Sequence, residues 1–193
     1  MKILTIDVTS PKLVVAAYDG SKASYKISEE SGKKHNALVM PYIESVLNDL
    51  NMSIKDIDVF SCVIGPGSFT GIRIGIATMK ALSFAMNKPC VAINALEEMA
   101  YGKEGNFYTA IDALHDNYYS ARFEGGWENM KDIDCKYIKD IEEAKLPIYF
   151  KESEANPQNL IDITIAKANK KEFSVLEPLY LRKSQAERDR DGD

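Results

Sequence analysis

Leu4-Thr5-Ile6-Asp7 and Thr109-Ala110-Ile111-Asp112 carry one pattern twice, 105 residues apart from Asp7 to Asp112. At the same offset, Ala16-Ala17-Tyr18-Asp19-Gly20 falls against Ala121-Arg122-Phe123-Glu124-Gly125, keeping small residue, aromatic, acid and glycine in order and without a gap. Matched segments at one fixed offset point to a duplicated supersecondary unit. Each copy reads as strand, turn, strand, turn.

Outward from the first copy, residues 2–7 and 13–18 are short β-rich runs around Thr9, Ser10 and Pro11. Asp19-Gly20 is a hairpin signal before a third strand at 23–27, and the three strands are expected to be antiparallel. Residues 38–50 place Tyr42, Ile43, Val46, Leu47 and Leu50 at helical spacing, with Pro41 acceptable only near the first turn. Residues 59–64 form an uninterrupted apolar run, the pattern of a strand covered on both faces. A glycine-rich turn leads into a second helix ended by Pro89, then a buried strand at 90–93 and a short helix at 95–101.

The fold class is therefore α/β: a βββαβα lobe over residues 1–104, repeated in a reduced lobe over 105–186. In the second lobe, residues 148–150 are expected as a strand, followed by a helix with Asn156 as N-cap and Pro157 at N1, and 175–182 as an extended segment. Residues 187–193 alternate charge with no apolar residue, a composition expected to be disordered.

With 193 residues, 45% apolar and 27% charged, the chain has the composition of an ordinary globular protein. A net charge of −5 disfavours autonomous nucleic-acid binding, which draws its affinity from Lys and Arg on phosphates. The longest uncharged stretch, 59–72, is too short for a bilayer, and Asp7 interrupts the N-terminal apolar run too early for a secretory signal. Cys62, Cys90 and Cys135 are widely spaced and odd in number, which fits buried free thiols in a reducing, cytoplasmic setting.

Gly65-Pro66-Gly67-Ser68-Phe69-Thr70-Gly71 lies between a strand and a helix. Its amides and the helix dipole suit an anion, so Gly65, Gly67, Ser68, Thr70 and Gly71 are candidate phosphate-loop residues. The same residues suit a tight turn whose serine or threonine caps the helix, and the Gly-Lys-Ser/Thr ending of a nucleotide P-loop is missing. Asp7 and Asp112 end equivalent strands, where an acid can hold a metal through water or serve as a base. Without a glycine behind Asp7, closing a turn is the favoured role.

His35 and His115 belong to no paired-histidine motif, so no metal site is expected. His35 is assigned to a helix-capping loop and His115 to a hairpin turn. No serine stands in a nucleophile elbow, and no catalytic residue is singled out. The helix at 72–86 keeps only Arg73 and Lys80 charged, so it is apolar on more than one face. Such a helix is covered either by the protein's own second helix or by a partner.

The chain resembles the TsaB family. The likeness rests on residues 3–9, on His35 and the helix at 38–50, and above all on Val63-Ile64-Gly65-Pro66-Gly67-Ser68-Phe69-Thr70-Gly71-Ile72-Arg73-Ile74-Gly75. Ala110-Ile111-Asp112-Ala113 with Tyr118-Tyr119, and Pro178-Leu179-Tyr180-Leu181-Arg182, resemble the opening of the second lobe and the closing segment. The resemblance implies an actin-like, sugar-kinase-like (ASKHA) fold and a non-catalytic scaffold lacking the metal-binding histidines of the related TsaD subunit.

By the same resemblance the scaffold pairs with TsaD through two N-lobe helices, with candidate interface residues Leu38, Tyr42, Val46, Ile72, Gly75, Ile76, Met79, Leu82 and Met86. A TsaE ATPase joins them, and the isolated subunit self-associates through the same surface. With TsaC, the set builds threonylcarbamoyladenosine beside the anticodon of tRNA, which this chain meets only through the complex. No cofactor is expected to bind tightly, and ATP or ADP enters only at the level of the complex. The alternatives are a phosphotransferase of the same fold, a metal-dependent carbamoyl transferase and a glycoprotein peptidase. The short second lobe departs from the family pattern.

Overall fold

The structure, a computed structural model, describes residues 1–29, 35–151 and 154–182. The expected tail at 187–193 lies outside the described residues. The first half comprises β1 (Ile3–Asp7), β2 (Val14–Tyr18), β3 (Ala23–Ile27), α1 (His35–Asp49), a 3₁₀ turn (Ile54–Asp56), β4 (Val59–Val63), α2 (Phe69–Met86), β5 (Cys90–Ile93) and α3 (Ala95–Ala100). The second comprises β6 (Phe107–Asp112), β7 (Asn117–Phe123), β8 (Met130–Tyr137), α4 (Ile138–Glu142), β9 (Ile148–Phe150) and α5 (Pro157–Asn169). Two mixed sheets result, ordered β3-β2-β1-β4-β5 and β8-β7-β6-β9. In each, an antiparallel meander is extended by a parallel strand beside its first strand, β4 along β1 and β9 along β6.

Strand β1 is central and wholly buried, because both faces of its sheet are covered. Alternate side chains leave opposite faces of a strand. Leu4 and Ile6, with Val15, Ala17, Phe60 and Cys62, pack under α1 and α2. On the other face, Ile3 and Ala16 meet Ile161 of α5, while Val14, Val59, Val63, Val91 and Ile93 cluster with Leu160 and Ile163. The Ser61 and Thr164 hydroxyls pair at 2.7 Å within that contact.

Helix α5 thus belongs to the second half by sequence and to the first sheet by packing. The exchange runs both ways. Helix α3 places Leu96 and Ala100 against Phe107, Ala121 and Phe123 of the second sheet, where Thr109 Oγ1 donates to the Leu96 carbonyl at 3.2 Å. The stretches 1–104 and 105–186 therefore share their cores.

Local signals account for the boundaries. At the β2–β3 turn, Gly20 has φ +105° and the Asp19 carboxylate accepts from the amides of Ser21 and Lys22 at 2.6 and 2.7 Å. Asn156 caps α5 by accepting from Gln158 N at 2.9 Å, with Pro157 first in the helix, as the sequence predicts.

Four expectations are corrected. Helix α1 starts at His35, so Pro41 stands in its second turn, exposed. Strand β8 and helix α4 were not anticipated: β8 mixes Lys and Asp along a mostly exposed edge and so lacks an apolar period. Strand β5 stands where the sequence reads a buried strand at 90–93, and the second sheet has no counterpart of it.

The repeat is also not gapless. Asp7 pairs with Val14 but Asp112 pairs with Tyr118, so the second turn is one residue shorter. Ala121, aligned by sequence with Ala16, takes the place of Ala17: Leu4 pairs with Ala17 as Thr109 pairs with Ala121. A slip of one residue exchanges the faces of a strand. The segment 175–182 forms no regular strand, although Leu179 N donates to the Ile64 carbonyl at 2.9 Å.

Candidate functional site

Two regions gather the residues singled out by sequence: a cleft between the sheets, and the outer face of α1 and α2. The cleft, about 770 Å³, is lined by Thr9, Ser10, His35, Ser68, Asp112 and Lys151 among others. Asp7 lies buried behind it. One Asp7 oxygen accepts from Thr9 N and Thr9 Oγ1, both at 2.7 Å, and the other accepts from Ser10 Oγ. Asp112 does the same in its own copy, accepting from Leu114 N at 2.7 Å. Both strand-ending acids therefore close a turn through an amide two residues on, as Asp characteristically does.

The second Asp7 oxygen also lies 3.9 Å from Lys151 Nζ, and that ammonium sits 3.0 Å from Glu98 Oε2. The Lys151 side chain is only 7% exposed. Glu98 further accepts from Asn156 N at 2.9 Å and Asn159 Nδ2 at 3.3 Å. Sequence reasoning missed Glu98 and Lys151. A lysine after a short strand and a glutamate in a short helix look like solvated residues, and only the fold brings them together.

The glycine loop is held from within. Ser68 N donates to the Thr9 carbonyl at 3.0 Å, Ser68 Oγ caps α2 by accepting from Gly71 N at 3.2 Å, and Ile72 N donates to Ser68 O at 2.8 Å. Two of its amides, those of Ser68 and Gly71, thus have partners in the chain. A Cβ on Gly71 would overlap the Val8 carbonyl, one on Gly67 would lie 2.7 Å from Thr9 O, and one on Gly65 would lie 2.7 Å from Leu179 O. Gly67 and Gly71 let α2 start against the β1–β2 turn, and Gly65 lets the loop approach the segment at Leu179. Thr70 stays exposed at the helix start.

His35 is buried as the first residue of α1, lining the cleft, and its Nε2 has no hydrogen-bond partner. His115 stands in the β6–β7 turn, where Leu114, His115 and Asp116 all have positive φ and Asn117 Nδ2 donates to the His115 carbonyl at 2.8 Å. Among the described residues no group of three or more His, Cys, Asp or Glu is placed to hold a metal. The Asp7 oxygens are engaged by their own turn, and Lys151 stands beside them. Burial pushes the Cys62 thiol well up, with the Asp7 charge adding to it, which keeps that sulfur protonated and unreactive.

On α2, the residues expected at an interface divide by depth. Ile72, Gly75, Ile76 and Met79, together with Val46 of α1, are buried in this chain's own core. Leu38, Tyr42, Leu82 and Met86 are half-buried at its margin. The outward stripe is Ala77, Ala81, Phe84 and Ala85, with Met40 and Pro41 exposed on α1. Phe84 is 88% exposed. Its position one turn beyond Lys80, inside a run that looked uniformly apolar, concealed it in the sequence.

Residues 24–174 match the family model described as TsaD: tRNA N6-adenosine threonylcarbamoyltransferase. Curated relatives named tRNA threonylcarbamoyladenosine biosynthesis protein TsaB include one from Bacillus subtilis, 33% identical over 64% of this chain and 56% of its own. Another, from Escherichia coli K12, is 30% identical over 64% of this chain and 55% of its own. The chain spans about half the length of the curated relatives it matches. Among solved structures, a Pseudomonas aeruginosa protein described as uncharacterised with similarity to peptidase YeaZ superposes with TM-score 0.80 at 20% identity, over 94% of this chain and 99% of its own. YeaZ from Pseudomonas aeruginosa gives 0.79 at 18% identity, over 93% and 99%. The paired sheets thus have the actin-like, ASKHA-type fold, and with its family model matched over most of its length the chain belongs to the TsaD family of tRNA N6-adenosine threonylcarbamoyltransferases, within it to the TsaB group.

Proposed function

We propose that this chain is a non-catalytic subunit in the synthesis of threonylcarbamoyladenosine on tRNA, acting by holding a TsaD-type transferase against the outer face of α1 and α2. The observation that carries this reading is the uncovered apolar stripe of α2: Ala77, Ala81 and Ala85 are small enough to let another helix approach, and Phe84 projects 88% exposed beyond them. A monomer gains nothing by leaving a phenylalanine in water on a helix it already packs on the opposite face. The names of the curated relatives supply the pathway. In the cleft, the acid best placed for chemistry is committed to its own turn and to Lys151, which supports assigning the chemistry to the partner. A TsaE-type ATPase, its nucleotide and tRNA then belong to the assembled complex.

The test is size-exclusion chromatography of this chain, the TsaD-type subunit of the same organism and their mixture, with threonylcarbamoyl transfer to tRNA assayed for each. A heterodimer that alone supports transfer is expected, and Phe84→Glu or Ala81→Glu weakens it by placing an unpaired charge at a desolvated contact. Normal pairing by folded charge variants, or transfer by this chain alone, refutes the reading.

A further inference from the structure

The Asp7, Lys151 and Glu98 side chains form a buried cluster whose members come from β1, from the residue after β9 and from α3. Each carboxylate is essentially out of water, and such groups persist only when paired. Glu98 has a second source of compensation, since it accepts from the amide of Asn156 at the positive end of the α5 dipole. Asp7 has its three hydroxyl and amide donors. Among the described residues, the cation in contact with the cluster is the Lys151 ammonium, 3.9 Å from one acid and 3.0 Å from the other.

We propose that Lys151 is the built-in counter-ion of the interlobe cleft, its ammonium standing between two carboxylates that would otherwise bridge a divalent cation. Both acids lie within reach of one hydrated metal ion at the Lys151 Nζ position, because hard cations take carboxylate oxygens at about 2.0–2.6 Å or through an intervening water. Lysine supplies one positive charge without a vacant coordination site, the hydroxyl and amide donors on the two acids carry the rest, and both sheets, α3 and the start of α5 are tied at one point. Removing the ammonium while keeping both acids uncovers a latent divalent-cation site. The proposal is independent of where a partner docks.

The experiment compares thermal unfolding of the full chain as wild type, Lys151→Ala and Lys151→Ala/Glu98→Gln, each in EDTA and in millimolar Mn²⁺. In EDTA the single variant is expected to melt roughly 10 °C below wild type, the effect of leaving buried charges uncompensated. Mn²⁺ restores most of that loss by binding the folded state only, and leaves wild type and the double variant unmoved. The double variant melts above the single one, since one acid leaves with the ammonium. The proposal is overturned if Lys151→Ala melts like wild type, if Mn²⁺ leaves it at its EDTA value or shifts wild type equally, or if the double variant melts no higher than the single. Should Lys151→Ala not fold at all, the last comparison decides: a folded double variant supports the counter-ion role, and an unfolded one refutes it.

Discussion

Single residues in the glycine loop are set by close backbone approach. Gly71 has no room for a Cβ because the Val8 carbonyl occupies it, whereas Gly102 faces open space and needs only its φ of +73°. Gly71→Ala is therefore expected to cost about 3 kcal/mol or more through overlap with backbone, and Gly102→Ala roughly 1–2 kcal/mol through conformation alone. Urea midpoints of the two variants read the contrast, and equal losses would refute it. Cys62 gives a pH signature. Its folded pKa is raised above the ordinary value of 9.0, so its contribution is fully present below that pH and is lost as pH rises beyond it, where only the unfolded thiol ionises. Cys62→Ala is expected to lower stability at neutral pH yet flatten its fall on the alkaline side, measured by denaturation at several pH values.

At the scale of elements, α2 presents two apolar faces, one buried in the core and one exposed. Met79 is fully buried beneath it and Phe84 is almost fully exposed above it. Met79→Ala is expected to destabilise the isolated chain by about 2–5 kcal/mol, and Phe84→Ala to leave it within about 0.5 kcal/mol. Partner affinity is expected in the reverse order, lowered by Phe84→Ala in a titration with the TsaD-type subunit. A charge at Met79 consequently reports on folding, and Ala81 and Phe84 are the sites that report on docking.

The whole molecule is tied together by exchanged helices. Helices α1 and α2 cover one face of the first sheet, but its other face is closed by α5 from the second half, and the second sheet is packed by α3 from the first half. Unfolding is expected as one transition. The single tryptophan, Trp127, follows β7 and packs on Tyr101 with ring centroids 4.7 Å apart. Its fluorescence and the far-UV circular dichroism should trace coincident urea curves, and Leu160→Ala, in α5, should shift both equally. Separate midpoints would show two independent lobes.

Much of this architecture was written in local signals: the Asp19-Gly20 turn, the apolar run of β4, the Asn156-Pro157 cap and the paired Ile-Asp strand ends depend on neighbours in sequence and were legible there. Strand β8 was not, because a charged edge strand is held by backbone pairing with β7 rather than by an apolar period. The sequence by itself determined the duplication, the strand-to-helix turn and the presence of a helix more apolar than one sheet requires. Only the tertiary structure decided the one-residue slip between the copies, which α2 residues face outward, and the meeting of Asp7, Glu98 and Lys151. Those depend on how elements distant in sequence are set against one another, and no local pattern of side chains records that placement.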